Sequence, residues 1–397
     1  MSVNELFLVK NEDRRIRTGH LWVYSNEVDT KKTPLKNFEP GQEVQIIGSN
    51  KEFLGNAYLN PQSLICARIF SRNSADHLNL EFFIQRISTA LQGREKFFPE
   101  PFYRLVFGES DNLPGLIIDR FDSTVVVQIA TAGMENCKDE IVAALKNCLP
   151  NLKCVVLRND GNARLFENLP KYNEVVFGEP LENLTVRENN LTFTAPFLTG
   201  QKTGWFYDHS LNRARLISYV KNSRVLDVFS YLGAWGITAA VNGATEVTCV
   251  DSSTIAENYI KENAKLNNVA DKVKVIIDDA FDALKTLHQQ KQNFDVIILD
   301  PPAFIKKFKD KKEGFIAYQR INEAAIKLLN ANGILISCSC SMHLSMDELV
   351  TAIRRASFRN EVEMQILEFG HQGPDHPIHF CIPETNYLKM VVARTLS

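Results

Sequence analysis

The sequence lacks the features of zinc-binding, secreted and membrane-spanning proteins. Its eight cysteines are scattered, and no two of them form the CxxC pair that zinc sites use, so we expect reduced thiols and no metal. No apolar run is long enough to cross a bilayer, and the first ten residues are too polar for a signal sequence. The sequence therefore predicts a cytoplasmic protein that has no membrane partner.

A strong net charge of either sign is also missing. The formal net charge is -2, so the whole molecule has no field that would attract a polyanion, and nucleic-acid binding must come from local basic patches. Low-complexity tracts and internal repeats are absent, and 45% of the 397 residues are hydrophobic. A chain of this size and composition is expected to form two or three globular domains.

The pattern of apolar and turn residues divides the chain into three segments. Residues 1–72 contain short strands, which predict a small β-barrel, and residues 73–188 mix helices and strands, which predicts an α+β domain. In residues 189–397, apolar β-rich runs alternate with helical stretches, and two more strands end the chain. This order predicts an α/β domain with a mostly parallel seven-stranded sheet, and the added antiparallel strand fits Rossmann-like methyltransferases better than dehydrogenases.

Two helix boundaries are predicted within these segments. One helix should run from Met134 to Cys148, and the helix before the fifth strand of the last segment should end near Asn330. The pair Asn332-Gly333 is a suitable C-terminal stop for that second helix.

Acidic residues end three successive strands of the last segment. Residues 225–236 have the pattern of a buried strand, a tight turn and a helix start, which also occurs without any ligand. Asp251 ends the second strand, where a carboxylate could bind ribose hydroxyls or cap a helix, and Asp278-Asp279-Ala280-Phe281 ends the third. Because ligands of such sheets bind at the carboxyl ends of the strands, one bound nucleoside explains all three acids.

The identity of the nucleoside is predicted from the first turn. A pyrophosphate favours bare glycine amides, whereas bulky Tyr231 and Leu232 stand here, so we predict S-adenosyl-L-methionine rather than a dinucleotide. The predicted cofactor-binding residues of this segment are Asp227, Phe229, Ser230, Tyr231, Gly233, Asp251, Ser252, Asp278, Asp279, Ala280, Asp300 and Pro301.

The fourth and fifth strands supply the predicted catalytic groups. Asp300 starts the sequence Asp-Pro-Pro-Ala-Phe, in which the double proline fixes the backbone at the rim of the sheet. Cys338 and Cys340 share one face of the fifth strand, and Cys340 falls at its carboxyl end. Methylation of cytosine C5 needs a thiolate that adds to C6 and an acid near N3, which Cys340 and a protonated Asp300 would supply. Cys338, His376 or a water could remove the C5 proton, and this choice stays open.

Two basic regions are candidates for binding RNA. A lysine run follows the double proline, and an arginine cluster lies close to aromatic residues near the start of the chain. Such runs are also common on solvated loops. The predicted RNA contacts are Arg14, Arg15, Arg17, Trp22, Pro302, Phe304, Lys306, Lys307 and Lys309.

Ordered motifs extend over nearly the whole chain. They are residues 19–24 with Glu27, residues 108–116 with Asp119-Arg120, residues 200–208, Phe229-Ser230-Tyr231, residues 300–304, Ser339-Cys340-Ser341 and residues 375–377. In these motifs the chain resembles the bacterial large-subunit (23S) ribosomal RNA cytosine-C5 methyltransferases of the RlmI type.

The resemblance implies an N-terminal PUA domain, large-subunit ribosomal RNA as the substrate and Cys340 as the nucleophile. It also implies that the segment before the α/β domain helps to hold the cofactor. The residues concerned are Lys202, Thr203, Gly204 and Asp208.

Two other functions fit the same residues. Asp-Pro-Pro followed by an aromatic residue could hold a base for methylation of an exocyclic amine or a guanine ring nitrogen, which needs no thiol. A ribosome-assembly protein that binds RNA without catalysis is the other alternative. The modified nucleotide, the state of the RNA substrate and the formation of a homodimer are left open by the sequence.

Overall fold

All helices and strands described below lie within residues 4–198, 200 and 203–396, which are the residues that the computed structural model describes. This part of the chain divides into two compact units. The first comprises Met1–Leu184, Pro196–Tyr207 and Pro374–Thr385, and the second comprises Thr185–Ala195, Asp208–Gly373 and Asn386–Ser397. No helix in the described ranges is long and apolar enough to cross a membrane.

The first unit begins with a five-stranded sheet in the order β1-β3-β4-β5-β2. Its strands are β1 (Asn4–Phe7), β2 (Trp22–Tyr24), β3 (Gln42–Ile47), β4 (Phe53–Leu59) and β5 (Ile65–Ser71), with the short helix α1 (Arg14–Arg17) after β1. An isolated bridge between Leu8 and Val28 joins the chain just beyond the two edge strands. The sheet therefore curls around an aliphatic core, which agrees with the predicted barrel.

A second five-stranded sheet of the first unit has the order β10-β9-β8-β7-β6. Its elements are α2 (Leu80–Glu95), β6 (Phe102–Phe107), β7 (Leu116–Phe121), β8 (Thr124–Ile129), α3 (Ala132–Asn136), α4 (Lys138–Cys148), β9 (Cys154–Asn159) and β10 (Tyr172–Phe177). The predicted single helix from Met134 to Cys148 is wrong, since the chain leaves helical geometry at Cys137 (φ -104°, ψ 20°) and starts again at Lys138. The mixture of helices and strands agrees with the predicted α+β segment.

The second unit is built on a seven-stranded sheet. After the hairpin of β11 (Asn183–Glu188) and β12 (Leu191–Pro196), its strands are β13 (Arg224–Val228), β14 (Glu246–Asp251), β15 (Val273–Ile277), β16 (Phe294–Leu299), β17 (Leu329–Ser339), β18 (Glu363–Gly370) and β19 (Lys389–Leu396). The helices are α5 (Ser210–Leu216), α6 (Ala234–Val241), α7 (Thr254–Leu266), α8 (Ala280–Gln289), α9 (Lys311–Ile326) and α10 (Met346–Arg359). The strand order is β15-β14-β13-β16-β17-β19-β18. Strand β19 runs in the direction opposite to that of the other six strands.

This topology places a switch point between β13 and β16, because the chain continues from β13 to one side of the sheet and returns through β16 to the other. Ligands of open α/β sheets bind outside the carboxyl ends of the strands at such a point. Strand β13 pairs with β16 from Val225 to Val228, so the turn after Val228 and Asp300 after Leu299 emerge side by side.

The predicted end of the helix before the fifth strand is wrong. Helix α9 already ends at Ile326, and Asn330, Asn332 and Gly333 lie within β17. Asn332 has a left-handed backbone (φ 60°), and the pairing of β16 with β17 shifts register in this region. The Asn-Gly pair therefore marks an irregularity in the strand, a role that the same two residues often have in β-structure.

Candidate active site

The turn after β13 has three residues with left-handed backbone geometry. Phe229, Tyr231 and Gly233 have φ values of 68°, 50° and 80°. For Phe and Tyr this geometry is strained, and such strain persists only where the surroundings fix it. The buried Ser230 hydroxyl fixes it by donating to the carbonyl oxygens of Asp227 (2.7 Å) and Val250 (3.1 Å).

Close packing explains the second glycine of this region. A Cβ on Gly236 would come within 2.6 Å of Cys249 Sγ and 3.2 Å of Asp227 Oδ2. The Gly236 amide instead donates to Asp227 Oδ2 at 2.9 Å. Burial, together with the negative charges of Asp300 and Asp251, raises the pKa of the Asp227 carboxyl to about 7, against the opposing effect of the Gly236 amide.

The acids after β14 and β15 organise the backbone at the same edge of the sheet. Asp251 accepts from the Tyr231 amide (2.8 Å) and from the Ser253 amide (2.9 Å), so it joins the first turn to the start of α7. Asp279 caps α8 by accepting from the Phe281 amide at 2.8 Å, and Asp278 accepts from the Asp279 amide.

These residues fit an adenosine group. Asp251 and Tyr231 are half-exposed, while Ser252, Asp278 and Asp279 are exposed, so their oxygens can still accept from ribose hydroxyls or an adenine amine. Ala280 is buried in the hydrophobic core beneath them. In the turn beside the carboxylates, Phe229 is half-buried like Tyr231, and Gly233 is buried.

The segment before the α/β sheet is split between the two units. Thr203 and Gly204 belong to the first unit, where the Thr203 hydroxyl donates to Asp119 Oδ2 at 2.5 Å. Asp208 belongs to the second unit, where it accepts from the Tyr387 hydroxyl at 2.5 Å. Lys202, also predicted to hold the cofactor, lies outside the described residues.

Asp300 is held by two donors. The Nε2 atom of His209 lies 3.2 Å from Oδ1, and Trp235 Nε1 donates to Oδ2 at 3.0 Å. Burial opposes ionisation of Asp300, but the charge of His209 and the hydrogen bonds from His209 and Trp235 outweigh it and lower the pKa of the carboxyl. The expectation of a protonated Asp300 is therefore wrong for the free protein, because its oxygens meet donors.

Cys338, within β17, and Cys340, directly after its end, occupy different environments. Cys338 is fully buried, and its Sγ lies within 4.8 Å of the ligand atoms of His209 and Asp300. Burial and the charge of Asp300 hold the pKa of the Cys338 thiol well above its usual range. Cys340 is half-buried, and its Sγ lies 4.0 Å from the Pro301 carbonyl oxygen. Cys340 is therefore at the rim, where a substrate can reach it, and Cys338 is a neutral thiol behind it.

Hydroxyl groups fix the chain on both sides of Cys340. Ser339 donates to the Tyr318 hydroxyl (2.9 Å), which lies 2.8 Å from Ser341 Oγ. The Ile305 amide donates to Ser341 Oγ at 3.2 Å, which connects the loop after the double proline to the cysteine strand. These bonds hold the two candidate catalytic loops together.

The loop after the double proline presents aromatic and basic side chains. Pro302 is exposed, and the half-buried Phe304 packs against Phe229 and Tyr318. The exposed residues Lys306, Lys307 and Lys309 surround Phe308, whose ring is 72% exposed. The Phe308 ring meets that of His343, just beyond Cys340, with centroids 6.0 Å apart. The lysine run therefore lies beside the cysteine rim.

The arginine cluster of the first unit is largely paired within the barrel. Arg15 donates to Glu27 at 2.6 Å, and Arg17 contacts Asp13 and Glu52, whereas Arg14 is exposed. The Trp22 ring nitrogen donates to Glu109 Oε1 at 2.8 Å. These contacts give Arg15, Arg17 and Trp22 structural roles, and their contact with RNA stays a prediction.

The two side chains predicted as possible bases for the C5 proton, Cys338 and His376, lie in different parts of the structure. Cys338 is buried and neutral, so it is a poor base. His376 belongs to the first unit, where it is buried, lies 3.0 Å from Asp375 and packs against Phe107.

Four residues around the rim were missed by sequence reasoning. They are His209, Trp235, Tyr318 and Lys389. Each comes from an element far along the chain from the residue that it contacts. A signal was present for His209 alone, because it directly follows the cofactor-segment motif that ends at Asp208.

Comparisons with known proteins agree with this geometry. The family model of a PUA-like domain matches residues 6–72, and the model described as conserved hypothetical protein 95 matches residues 212–354. The structure resembles that of a proposed SAM-dependent methyltransferase from Streptococcus mutans, with a TM-score of 0.83 and 22% identity over 99% of this chain and 100% of that one. It also resembles SMU.776, described as a proposed methyltransferase complexed with SAH, with a TM-score of 0.84 and 22% identity over the same shares.

These likenesses confirm the predicted fold class, a Rossmann-like methyltransferase domain after a PUA-like barrel. The chain is also 32% identical to the ribosomal RNA large subunit methyltransferase I of Serratia proteamaculans, over 98% of this chain and 99% of that protein. The chain therefore belongs to the ribosomal RNA large subunit methyltransferase I family, as its motifs predicted.

Proposed function

We propose that this protein methylates carbon 5 of a cytosine in large-subunit ribosomal RNA, with Cys340 as the nucleophile. The observation that carries the proposal is the placement of Cys340, a half-buried thiol at the carboxyl end of β17, beside the Pro301 carbonyl and next to the switch point of the sheet. S-adenosyl-L-methionine, when bound, supplies the methyl group. The residues that would hold it are the turn from Phe229 to Gly233 together with Asp251 and Asp279.

The chain's own residues activate and then release the base. Cys340 sulfur forms a bond to C6, which makes C5 nucleophilic enough to accept a methyl group. The His209–Asp300 pair takes the role that sequence gave to Asp300 alone, since it can hold a proton opposite N3 of the ring. After methyl transfer, the C5 proton leaves to a base and the bond between sulfur and C6 breaks. Trp235 keeps Asp300 oriented throughout.

The RNA would meet the loop after the double proline. Phe304 offers an aromatic face to a base, and Lys306, Lys307 and Lys309 offer charge to nearby phosphates. The three-domain division at residues 72 and 188 belongs to the same proposal, with the barrel and the central domain presenting further RNA-binding surface.

Amine methylation remains the second candidate, because one observation favours it. An ionised Asp300 next to Phe304 is the form that accepts a hydrogen bond from an exocyclic amine. In that chemistry Cys340 would have no part in the reaction.

The product nucleoside distinguishes the two candidates. Unmodified large-subunit ribosomal RNA would be incubated with methyl-labelled S-adenosyl-L-methionine, digested to nucleosides and analysed by mass. We expect 5-methylcytidine from the wild type and from the control Cys148→Ala, a half-buried cysteine on α4, and no product from Cys340→Ala. A methylated guanosine or adenosine that persists in Cys340→Ala would overturn the proposal in favour of the second candidate.

A further inference from the structure

Lys389 is a buried lysine beside the candidate nucleophile. It is the first residue of β19, and its backbone pairs with Ser339. The residue is only 7% exposed. Its ammonium donates to the Ser341 carbonyl oxygen at 2.7 Å. Lys389 therefore contacts the residues on both sides of Cys340.

The charge of Lys389 is poorly compensated. Among the described residues, no carboxylate lies within 4.0 Å of its ammonium. Burial lowers the pKa of Lys389 to about 8, against the opposing charges of Cys340 and, at longer range, Glu348. A buried cation with one neutral acceptor is costly unless an anion forms nearby. A Cys340 thiolate would be such an anion.

Cys338, Tyr318 and Asp300 do not supply the negative charge that would compensate Lys389. The Cys338 thiol stays neutral because of its burial. Burial raises the pKa of the Tyr318 phenol to about 12, so this group is neutral as well, and it is bonded to Ser339 and Ser341. Asp300 is an anion that faces His209. A thiolate at Cys340 would therefore compensate the Lys389 cation and gain from its charge.

We propose that Lys389 is a positioning residue for the nucleophile, whose ammonium stabilises the thiolate of Cys340 and whose hydrogen bond fixes the chain at Ser341. In this ionisation the Cys340 S–H bond breaks and its proton goes to solvent, while Lys389 keeps its own proton at neutral pH. The catalytic value of the thiolate rests on the proposed function, whereas the ion pair itself does not.

The proposed ion pair between Lys389 and the Cys340 thiolate can be tested without RNA or cofactor. The rate of alkylation of Cys340 by iodoacetamide would be followed from pH 5 to pH 10 by peptide mass analysis, with the Cys148 peptide as internal reference. Lys389→Gln removes the charge but keeps a donor for Ser341, and Lys389→Arg keeps both. We expect Lys389→Gln to shift the profile of Cys340 upward by about one pH unit, so that alkylation at pH 7 falls roughly tenfold, and Lys389→Arg to retain the wild-type profile.

Two results would overturn the proposed role of Lys389. An unchanged pH profile in Lys389→Gln would overturn the proposal, even if the melting temperature falls, because a purely structural role moves stability alone. If Lys389→Gln does not fold, the reciprocal measurement uses Cys340→Ala, in which the pKa of the Lys389 ammonium, observed by NMR, should fall. A Lys389 pKa that is the same in wild type and Cys340→Ala would also overturn the proposal. Alkylation does not depend on the base methylated, so failure here is separate from failure of the proposed function.

Discussion

Two parts of the same sheet edge are built in different ways. The turn from Phe229 to Gly233 is held by groups of β13 and β14 and by its own backbone, with the Ser230 hydroxyl as the principal donor and the Asp251 carboxylate as the principal acceptor. The rim around Cys340 is instead held by side chains from remote elements, including Tyr318 of α9 and Lys389 of β19.

The difference follows from what each part must do. A cofactor turn needs a fixed backbone, and strand ends with capping carboxylates supply that from local sequence. A catalytic thiol and carboxylate need tuned charge, which requires partners placed on either side of them. We therefore expect changes at the rim to affect the reaction more than cofactor binding, and changes at the turn to do the opposite.

The largest effect is expected from Asp300→Ala. This change leaves His209 and Trp235 without their common acceptor and removes the carboxylate to which we assign the proton near N3. We expect the single-turnover rate of methyl transfer to fall by about 10² to 10⁴, the range usual for loss of a general acid or base. Asp271→Ala, an exposed carboxylate on the loop before β15, is the matched control. A wild-type rate in Asp300→Ala would remove this residue from the reaction.

Asp227→Asn should change the pH dependence of stability. Because burial raises the pKa of Asp227 to about 7, the folded protein keeps a proton between about pH 4 and pH 7 that the unfolded chain has released. The stability associated with this proton is full below about pH 4 and is lost as the pH rises to 7, by at most about 4 kcal/mol. Asparagine is neutral at every pH, so the free energy of unfolding of Asp227→Asn, from urea titrations, should fall less over this range. If the free energy of unfolding depends on pH in the same way in the wild type and in Asp227→Asn, Asp227 is not neutral in the folded protein.

Tyr318→Phe tests the hydroxyl contacts behind Cys340. It removes the group that lies 2.9 Å from Ser339 Oγ and 2.8 Å from Ser341 Oγ, and it leaves both buried serines short of a partner. The expected loss in the free energy of unfolding is about 1 to 3 kcal/mol. Calorimetry should show unchanged affinity for S-adenosyl-L-methionine, since the turn is held by other groups. Weakened cofactor binding would show that the two parts of the edge are not independent.

The smallest effect per residue is expected from the lysine run. Replacing Lys306, Lys307 and Lys309 together by alanine should reduce the slope of log affinity for RNA against log salt by about 0.7 for each lysine that contacts a phosphate of single-stranded RNA. The matched control replaces three other exposed lysines of the second unit, namely Lys221, Lys285 and Lys291. Equal slopes in both triple variants would place the RNA elsewhere.

Sequence reasoning was most successful where the pattern is local. The order of strands and helices, the first turn and the acids that follow each strand are encoded in short runs of neighbouring residues, and the structure places them at one edge of the sheet. The Asn332-Gly333 pair was misread because the same residues suit a helix end and a strand irregularity.

The surroundings of Asp300 and Cys340 could not be predicted from sequence alone. His209, Tyr318 and Lys389 approach them only through the fold, and the ionisation of Asp300 depends on donors that are 65 to 91 positions away in the chain. The different burial of Cys338 and Cys340, two residues apart, depends in the same way on packing.

The most direct test of the account is covalent trapping. Large-subunit ribosomal RNA transcribed with 5-fluorocytidine would be incubated with protein and S-adenosyl-L-methionine, and the complex would be resolved on a denaturing gel. Because fluorine at C5 cannot leave as a proton does, a thiolate adduct at C6 should persist. We expect a cofactor-dependent covalent complex with the wild type and with Cys338→Ala, and none with Cys340→Ala. A complex that forms with Cys340→Ala, or a wild type that methylates cytosine yet forms no complex, would contradict Cys340 as the nucleophile.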